Sequence, residues 1–200
     1  MTPRPLVIAT RNAGKLKEIT AVLGDDVDIL SLEAYPDAPE VEEDGDTFEA
    51  NALKKARTIS AHTGQITLAD DSGLEVYALD GAPGIHSARF AGIDASDDEN
   101  NRKLLDLLHD IVEHDRSARF RCVLALVTPQ GGEQTVTAAW EGRILTEPRG
   151  QHGFGYDPLF YSPAHGVTSA ELPTEEKNKV SHRGKALDAA KDIVLQALTA

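Results

Sequence analysis

Leu6-Val7-Ile8-Ala9 is an unbroken apolar run, and the chain changes period as soon as it ends. From Lys15 onward the apolar residues Leu16, Ile19 and Leu23 recur at helical spacing, and Gly24 closes the segment. The run reads as a buried strand, because it offers no polar face to water. A buried strand passing straight into an amphipathic helix directs the chain toward the α/β class.

The rest of the chain repeats the alternation. Val27 to Leu30 reads as a second short strand, and the acidic, proline-bearing stretch from Glu33 to Asp46 as a loop. Asp46 with Glu49 reads as a capping box that opens a helix with the apolar stripe Phe48, Ala52, Ala56 and Ile59, ending near Gly64. Ile66 to Ala69 predicts a strand that runs into Asp70-Asp71-Ser72-Gly73. An extended pattern resumes over Leu74 to Ala78, and Gly81-Ala82-Pro83-Gly84 is a loop. Ser96 and Glu99 cap a helix carrying Leu104, Leu105, Leu108 and Ile111. Arg119 to Thr128 and Thr135 to Ile144, joined by Pro129-Gln130-Gly131-Gly132, form a β-hairpin. A final helix places Leu187, Ala190, Val194 and Leu198 on one face. The expected fold is α/β with a mixed sheet flanked by helices. Without repeats, low-complexity tracts or linkers, residues 1–200 read as a single domain.

Charge narrows the function classes. With 20 basic against 33 acidic residues the net charge is −13, which repels nucleic acid and anionic membrane, so neither is an expected partner. A phosphorylated ligand would need a locally basic or metal-bearing site. Cys122 is the only cysteine, so no intramolecular disulfide can form, which fits a reducing compartment. It sits in an apolar run and reads as a small core residue. Met1 to Thr10 has no charged region leading into a long apolar stretch, and nowhere do about 18 apolar residues run together. The expected location is the cytoplasm.

Three motifs carry chemistry. Thr10-Arg11-Asn12-Ala13-Gly14-Lys15 joins strand to helix, which aims backbone N–H groups and the positive end of the helix dipole at whatever lies above the turn, and Lys15 adds a charge. It is not a Walker A loop, since Ala9 replaces the first glycine and Leu16 the magnesium-binding hydroxyl. The plainer alternative is a strand–helix turn with a solvated lysine. Asp70-Asp71-Ser72-Gly73 follows an apolar strand, where α/β proteins commonly place chemistry. Adjacent side chains of an extended segment point to opposite faces, and Asp71, nearer the glycine turn and the hydroxyl of Ser72, is the expected one to enter the site. Glu42 and Glu43 offer a second carboxylate, although Glu42 to Asp46 also reads as a solvated acidic run. Such oxygen ligands suit Mg²⁺, and a carboxylate beside a metal can take a proton from water. The aspartates are adjacent and the first strand ends in Thr10, which disfavours a phospho-aspartate phosphatase.

The third motif lies in the C-terminal quarter. Phe154-Gly155-Tyr156-Asp157, Lys177 and Ser181-His182-Arg183-Gly184 together supply flat rings, a carboxylate and three nitrogen donors. That inventory suits a planar, carbonyl-bearing, phosphorylated ligand. The plainer alternatives are a helix-entry cap with a surface salt bridge, and core packing beside a glycine turn.

In these motifs the chain resembles the inosine triphosphate pyrophosphatase family, the XTP/dITP diphosphatases. The stretches that carry the resemblance are Ile8 to Lys15, Ala69 to Leu74, Gly81 to Gly92, Gly153 to Pro158 and Glu176 to Gly184, in family order over nearly the whole chain. The resemblance implies a homodimeric protein with an elongated mixed sheet and a central cleft between two lobes. It implies Mg²⁺-dependent hydrolysis of ITP, dITP and XTP to the monophosphate and pyrophosphate. By position it implies that Thr10, Arg11, Asn12, Ala13, Gly14 and Lys15 grip phosphate, and that Asp71 is the proton acceptor and a metal ligand with Glu42. Ser72, Phe154, Gly155, Tyr156, Asp157, Lys177, His182 and Arg183 would contact substrate. Arg11 stands where many relatives have a smaller residue. Two alternatives are a Maf-like nucleotide pyrophosphatase, which lacks the Ser-His-Arg-Gly segment, and a catalytically silent nucleotide-binding module, which would lack the Asp71 carboxylate.

Overall fold

The computed structural model describes residues 4–199, so Met1 to Pro3, the start of the stretch read for a leader, lie outside the described residues. In chain order the elements are β1 (Leu6–Ile8), α1 (Ala13–Leu23), β2 (Ile29–Leu30), α2 (Phe48–Thr63), β3 (Ile66–Val76), α3 (Asp97–Leu107), β4 (Ser117–Val127), β5 (Glu133–Ile144), β6 (Phe160–Ser162), β7 (Val167–Thr168), α4 (Thr174–Val180) and α5 (His182–Thr199). The strands form a seven-stranded sheet in the order β2-β1-β3-β4-β5-β6-β7. β1 is parallel to both β2 and β3, whereas β5, β6 and β7 pair antiparallel, so the sheet is mixed as expected.

The chain forms two compact units: Met1–Asp71, Cys122–Ala138 and Arg183–Ala200 in the first, Ser72–Arg121 and Ala139–His182 in the second. The division falls within β3, β4 and β5, and it separates Asp71 from Ser72 and His182 from Arg183. The core of the first unit is built from β1, β3, β4, α1 and α5, with Leu6, Ile8, Ile19, Leu68, Leu124, Leu187 and Val194 buried together. β1 is apolar at each position because all three of its residues are buried. The stripe expected on the last helix is the face that packs here: Leu187, Ala190, Val194 and Leu198 all belong to this core. The core of the second unit gathers Leu74, Val76, Leu104, Phe120, Trp140, Tyr156, Leu159 and Phe160.

Local rules account for most boundaries. Gly64 closes α2 in the left-handed conformation (φ 66°), and Ser96 with Glu99 forms the expected capping box on α3. The capping box expected at Asp46 is corrected: the N-cap of α2 is Thr47, whose side chain accepts from Ala50 N. The turn between β4 and β5 is closed by Thr128 N donating to Gly132 O and Gly131 N donating to Thr128 O, with Gly131 at φ 86°. Among the described residues no helix is long and apolar enough to cross a membrane.

Candidate active site

The largest correction concerns the paired aspartates. They do not end a strand before a glycine turn: β3 continues without interruption through Asp70, Asp71, Ser72 and Gly73 to Val76. Leu74 and Val76 are fully buried, and Leu74 N donates to Ser87 Oγ at 2.9 Å, so packing overrides the turn preference of Asp-Ser-Gly. The strand alternation still sends the two carboxylates to opposite faces, where they meet different partners.

Asp70 is enclosed by cations. Lys15 Nζ lies 2.7 Å from its Oδ1, and Arg183 Nε donates to its Oδ2 at 2.8 Å. Arg183 Nη1 in turn donates to Glu18 of α1, and the Cys122 thiol donates to Asp70 Oδ2 at 3.2 Å. Burial by itself pushes the Asp70 carboxyl up, but the Arg183 and Lys15 charges outweigh it and hold the group well below the usual carboxylate range. Burial, reinforced by the Asp70 charge, pushes the Cys122 thiol well above its ordinary value, so it is no nucleophile.

Asp71 has poorer company. Only 4% of its surface is exposed, yet among the described residues its Oδ1 has just Lys55 Nζ at 3.4 Å, and its buried Oδ2 has no hydrogen-bond partner. Burial is the main cause pushing this carboxyl above its ordinary value; Lys55 and Lys15 pull it down, and Glu43 and Asp70 push it up. A buried carboxylate oxygen left unpaired is held ready for a proton or a cation.

Lys55 is a buried cation of this cluster that motif reading missed. Its ammonium reaches Glu43 Oε1 at 2.6 Å and the Asp70 carbonyl at 2.7 Å, as well as Asp71. Burial opposes its charge, but Asp71 and Glu43 prevail and hold the ammonium above the ordinary lysine value. A signal existed in the sequence. Lys55 falls between Ala52 and Ile59 on the helix face assigned to the core, where an unpaired charge is not tolerated. Around it the acidic loop is anchored rather than merely solvated: Gly45 N donates to Asn51 Oδ1 at 2.8 Å, and Lys54 pairs with Asp44 at 2.6 Å. Glu43 is the carboxylate brought to Lys55, while Glu42 is exposed and has no hydrogen bond or ion pair among the described residues.

The strand-to-helix turn is more committed than its sequence suggests. Asn12 is the N-cap of α1, and its Oδ1 accepts from Lys15 N at 3.0 Å, so Ala13 and Gly14 begin the first helical turn. Thr10 Oγ1 accepts from Asn12 N at 3.2 Å, and Arg11 Nη2 donates to the Ala38 carbonyl at 2.9 Å. Lys15 is not a solvated lysine.

In the second unit, the segment Phe154 to Asp157 is organised by its own carboxylate. Asp157 Oδ2 accepts from Phe154 N at 2.9 Å and pairs with Lys177 Nζ at 2.6 Å, while Oδ1 accepts from Ser169 Oγ at 2.7 Å. Gly153 must be glycine here: its φ is 79°, and an added Cβ would lie 2.0 Å from Asp157 Oδ2. Gly155 N donates to Asp97 Oδ2 at 2.6 Å, and Asn101 Nδ2 donates to Gly155 O at 2.9 Å. Phe154 is half-buried, with the Lys177 ammonium 5.1 Å from its ring centre. Tyr156 is a core residue whose hydroxyl donates to Ser87 O at 2.8 Å, and burial raises its phenol well above the ordinary value. His182 is buried and stacks on Phe120, with ring centres 4.7 Å apart and planes 17° from parallel. Ser72 is half-buried.

The geometry can be set beside known proteins. The model of the Ham1 family matches residues 6–193. A dITP/XTP pyrophosphatase of Geobacter sulfurreducens is 57% identical over 94% of this chain and 94% of its own length, and one of Desulforamulus reducens is 52% identical with the same coverage. Among solved structures, a HAM1 protein from Coxiella burnetii superposes with a TM-score of 0.87 at 42% identity, covering 96% of this chain and 99% of that one. A nucleoside-triphosphatase, or dITP/XTP pyrophosphatase, from Mycobacterium abscessus gives 0.76 at 48% identity, covering 92% and 97%. With its core strands, its acidic strand β3 and its Ser-His-Arg-Gly segment all inside the matched span, this chain belongs to the Ham1 family.

Proposed function

We propose that this protein hydrolyses the deaminated purine nucleoside triphosphates ITP, dITP and XTP to the monophosphate and pyrophosphate. The relatives from Geobacter sulfurreducens and Desulforamulus reducens, both dITP/XTP pyrophosphatases, match almost the whole chain. The observation that carries the chemistry is Asp71, a buried carboxylate with one oxygen that has no hydrogen-bond partner among the described residues. In this reading Asp71 takes the proton of the water that attacks the α-phosphorus, and pyrophosphate leaves. Lys55 holds Asp71 and Glu43 in place, so the base keeps its position as charge moves. Thr10 to Lys15 grip the phosphates, where Lys15 and the helix N-terminus offset negative charge.

Mg²⁺ is the metal this reading requires. Among the described residues no three His, Cys, Asp or Glu side chains form a ready metal cage. That suits an ion bound through one or two carboxylates, with water and phosphate oxygens completing its shell. The unpartnered Asp71 Oδ2 and the uncommitted carboxylate of Glu42 fit it, whereas Glu43 is engaged by Lys55. When bound, the ion would neutralise phosphate charge and make the attacking water more acidic.

The base end of the substrate we assign to Ser72, Phe154 to Asp157, Lys177, His182 and Arg183. Phe154 offers a ring for stacking. Lys177, His182 and Arg183 are donors that suit a C6 carbonyl and oppose the C6 amino group of adenine. We further propose a homodimer, as the resemblance implies, and a cytoplasmic location, in keeping with the one buried thiol. The test is pyrophosphate release from a panel of natural and deaminated triphosphates, with and without Mg²⁺. ITP, dITP and XTP should be favoured over ATP by about 10²-fold or more in kcat/KM. Equal turnover of ITP and ATP would refute the assignment.

A further inference from the structure

One carboxylate holds two motifs that lie 168 residues apart in sequence, at Lys15 and Arg183. Asp70 Oδ1 takes Lys15 of the phosphate turn at 2.7 Å, and Oδ2 takes Arg183 Nε of the Ser-His-Arg-Gly segment at 2.8 Å. Glu18, one helical turn beyond Lys15 on α1, accepts from Nη1 of the same guanidinium. The side chains of Asp70 and Arg183 are 0% and 2% exposed, so these contacts are made away from water, whereas Lys15 keeps 15% of its side chain exposed. The four groups are two cations and two anions. Lys15 is the member at the edge, able to turn toward another anion without leaving its helix.

We infer that Asp70 is a positioning residue that couples the phosphate grip to the Ser-His-Arg-Gly segment, sharing its charge between Lys15 and Arg183. The inference rests on the reading of Lys15 as a phosphate ligand. A polyphosphate competes with Asp70 for Lys15. As Lys15 turns to it, more of the Asp70 charge falls to Arg183, and the guanidinium is held harder against β3 and α1. The phosphate tail thereby sets the arginine before the base is read. Conversely, an Asp70 deprived of Arg183 keeps Lys15 for itself and weakens the grip on phosphate. A carboxylate that only filled space in the core would transmit nothing between the two.

The test uses a ligand with no base, inorganic tripolyphosphate, and calorimetric titration of the full-length protein, so turnover is not needed. With Asp70 present, Arg183→Met should raise the Kd for tripolyphosphate by about tenfold, and Arg183→Lys, which keeps the charge, by less. In an Asp70→Asn background the same substitutions should change it by less than about twofold. An equal effect in both backgrounds would mean that Arg183 acts on the anion directly, and would overturn the coupling while leaving the phosphate reading intact. Absence of tripolyphosphate binding by the unaltered protein would overturn the phosphate reading as well. Because these substitutions touch a buried ion cluster, a second measurement uses the unaltered protein. The Arg183 Nε–H resonance should shift when tripolyphosphate saturates the site, and an unmoved resonance would also overturn the coupling.

Discussion

Asp70 and Asp71 are neighbours on one strand, and the structure predicts opposite consequences for replacing them with asparagine. Asp70 balances Lys15 and Arg183 in a buried cluster. Asp70→Asn removes one side of two buried ion pairs, and breaking such a pair costs about 3–5 kcal/mol. Unfolding entropy near 60 °C is about 2.1 cal/mol/K per residue, or about 0.4 kcal/mol/K for a chain of this length, so the melting temperature should fall by about 7–12 °C. Asp71 behaves differently, because its burial, poorly compensated, raises its carboxyl above the ordinary value. A carboxylate kept ionised at neutral pH in such a place costs the fold stability. Asp71→Asn removes that cost while preserving shape, and its amide oxygen can still face Lys55. The variant should melt no lower than the parent, yet lose about 10²–10⁴-fold in pyrophosphate release from ITP. Thermal melts by circular dichroism beside a pyrophosphate-release assay read both effects. An Asp71→Asn variant melting several degrees lower, or one turning over ITP at nearly the parental rate, would refute the division of labour. So would an Asp70→Asn variant that melts with the parent.

Gly153→Ala should raise KM for ITP and destabilise by about 1–3 kcal/mol, because the new methyl meets Asp157 Oδ2 in a left-handed backbone; unchanged KM and melting temperature would contradict the account of that loop. Chelation of divalent ions should abolish pyrophosphate release and added Mg²⁺ should restore it, while full activity in excess chelator would remove the metal from the mechanism. Acid stability offers a further check on Asp70, whose folded-state carboxyl lies well below its ordinary value. Its contribution is fully present above the unfolded value of about 3.9 and is lost as pH falls through the lower folded value. The Asp70→Asn variant should therefore lose less melting temperature than the parent between about pH 6 and pH 3, and parallel profiles would count against the buried ion cluster.

Much of the fold was legible because burial leaves periodic marks. β1 reads as apolar throughout because all of it is buried, and the stripe of α5 reads at helical spacing because that face packs into the first core. Caps were legible where the pairing is local, as at Ser96 and Glu99, and misleading at Asp46, where the neighbouring Thr47 takes the cap. The turn expected at Gly73 failed because Leu74 and Val76 gain more from burial than Asp-Ser-Gly gains from turning. The short helix α4, which carries Lys177, gave no signal beyond its cations, since its one buried member is that lysine.

The sequence by itself determined the α/β class, the mixed sheet and a family membership carried by motifs spread along the chain, because those depend on residue type and spacing. What only the tertiary structure decided is which charge meets which. It gave Asp70 to Lys15 and Arg183, left one oxygen of Asp71 without a partner among the described residues, set Lys55 beside Glu43, and turned Asp157 onto Lys177 and its own loop. An ion pair has no period in the sequence. Its partners are brought together by the packing of distant elements, and its strength depends on the water that packing excludes.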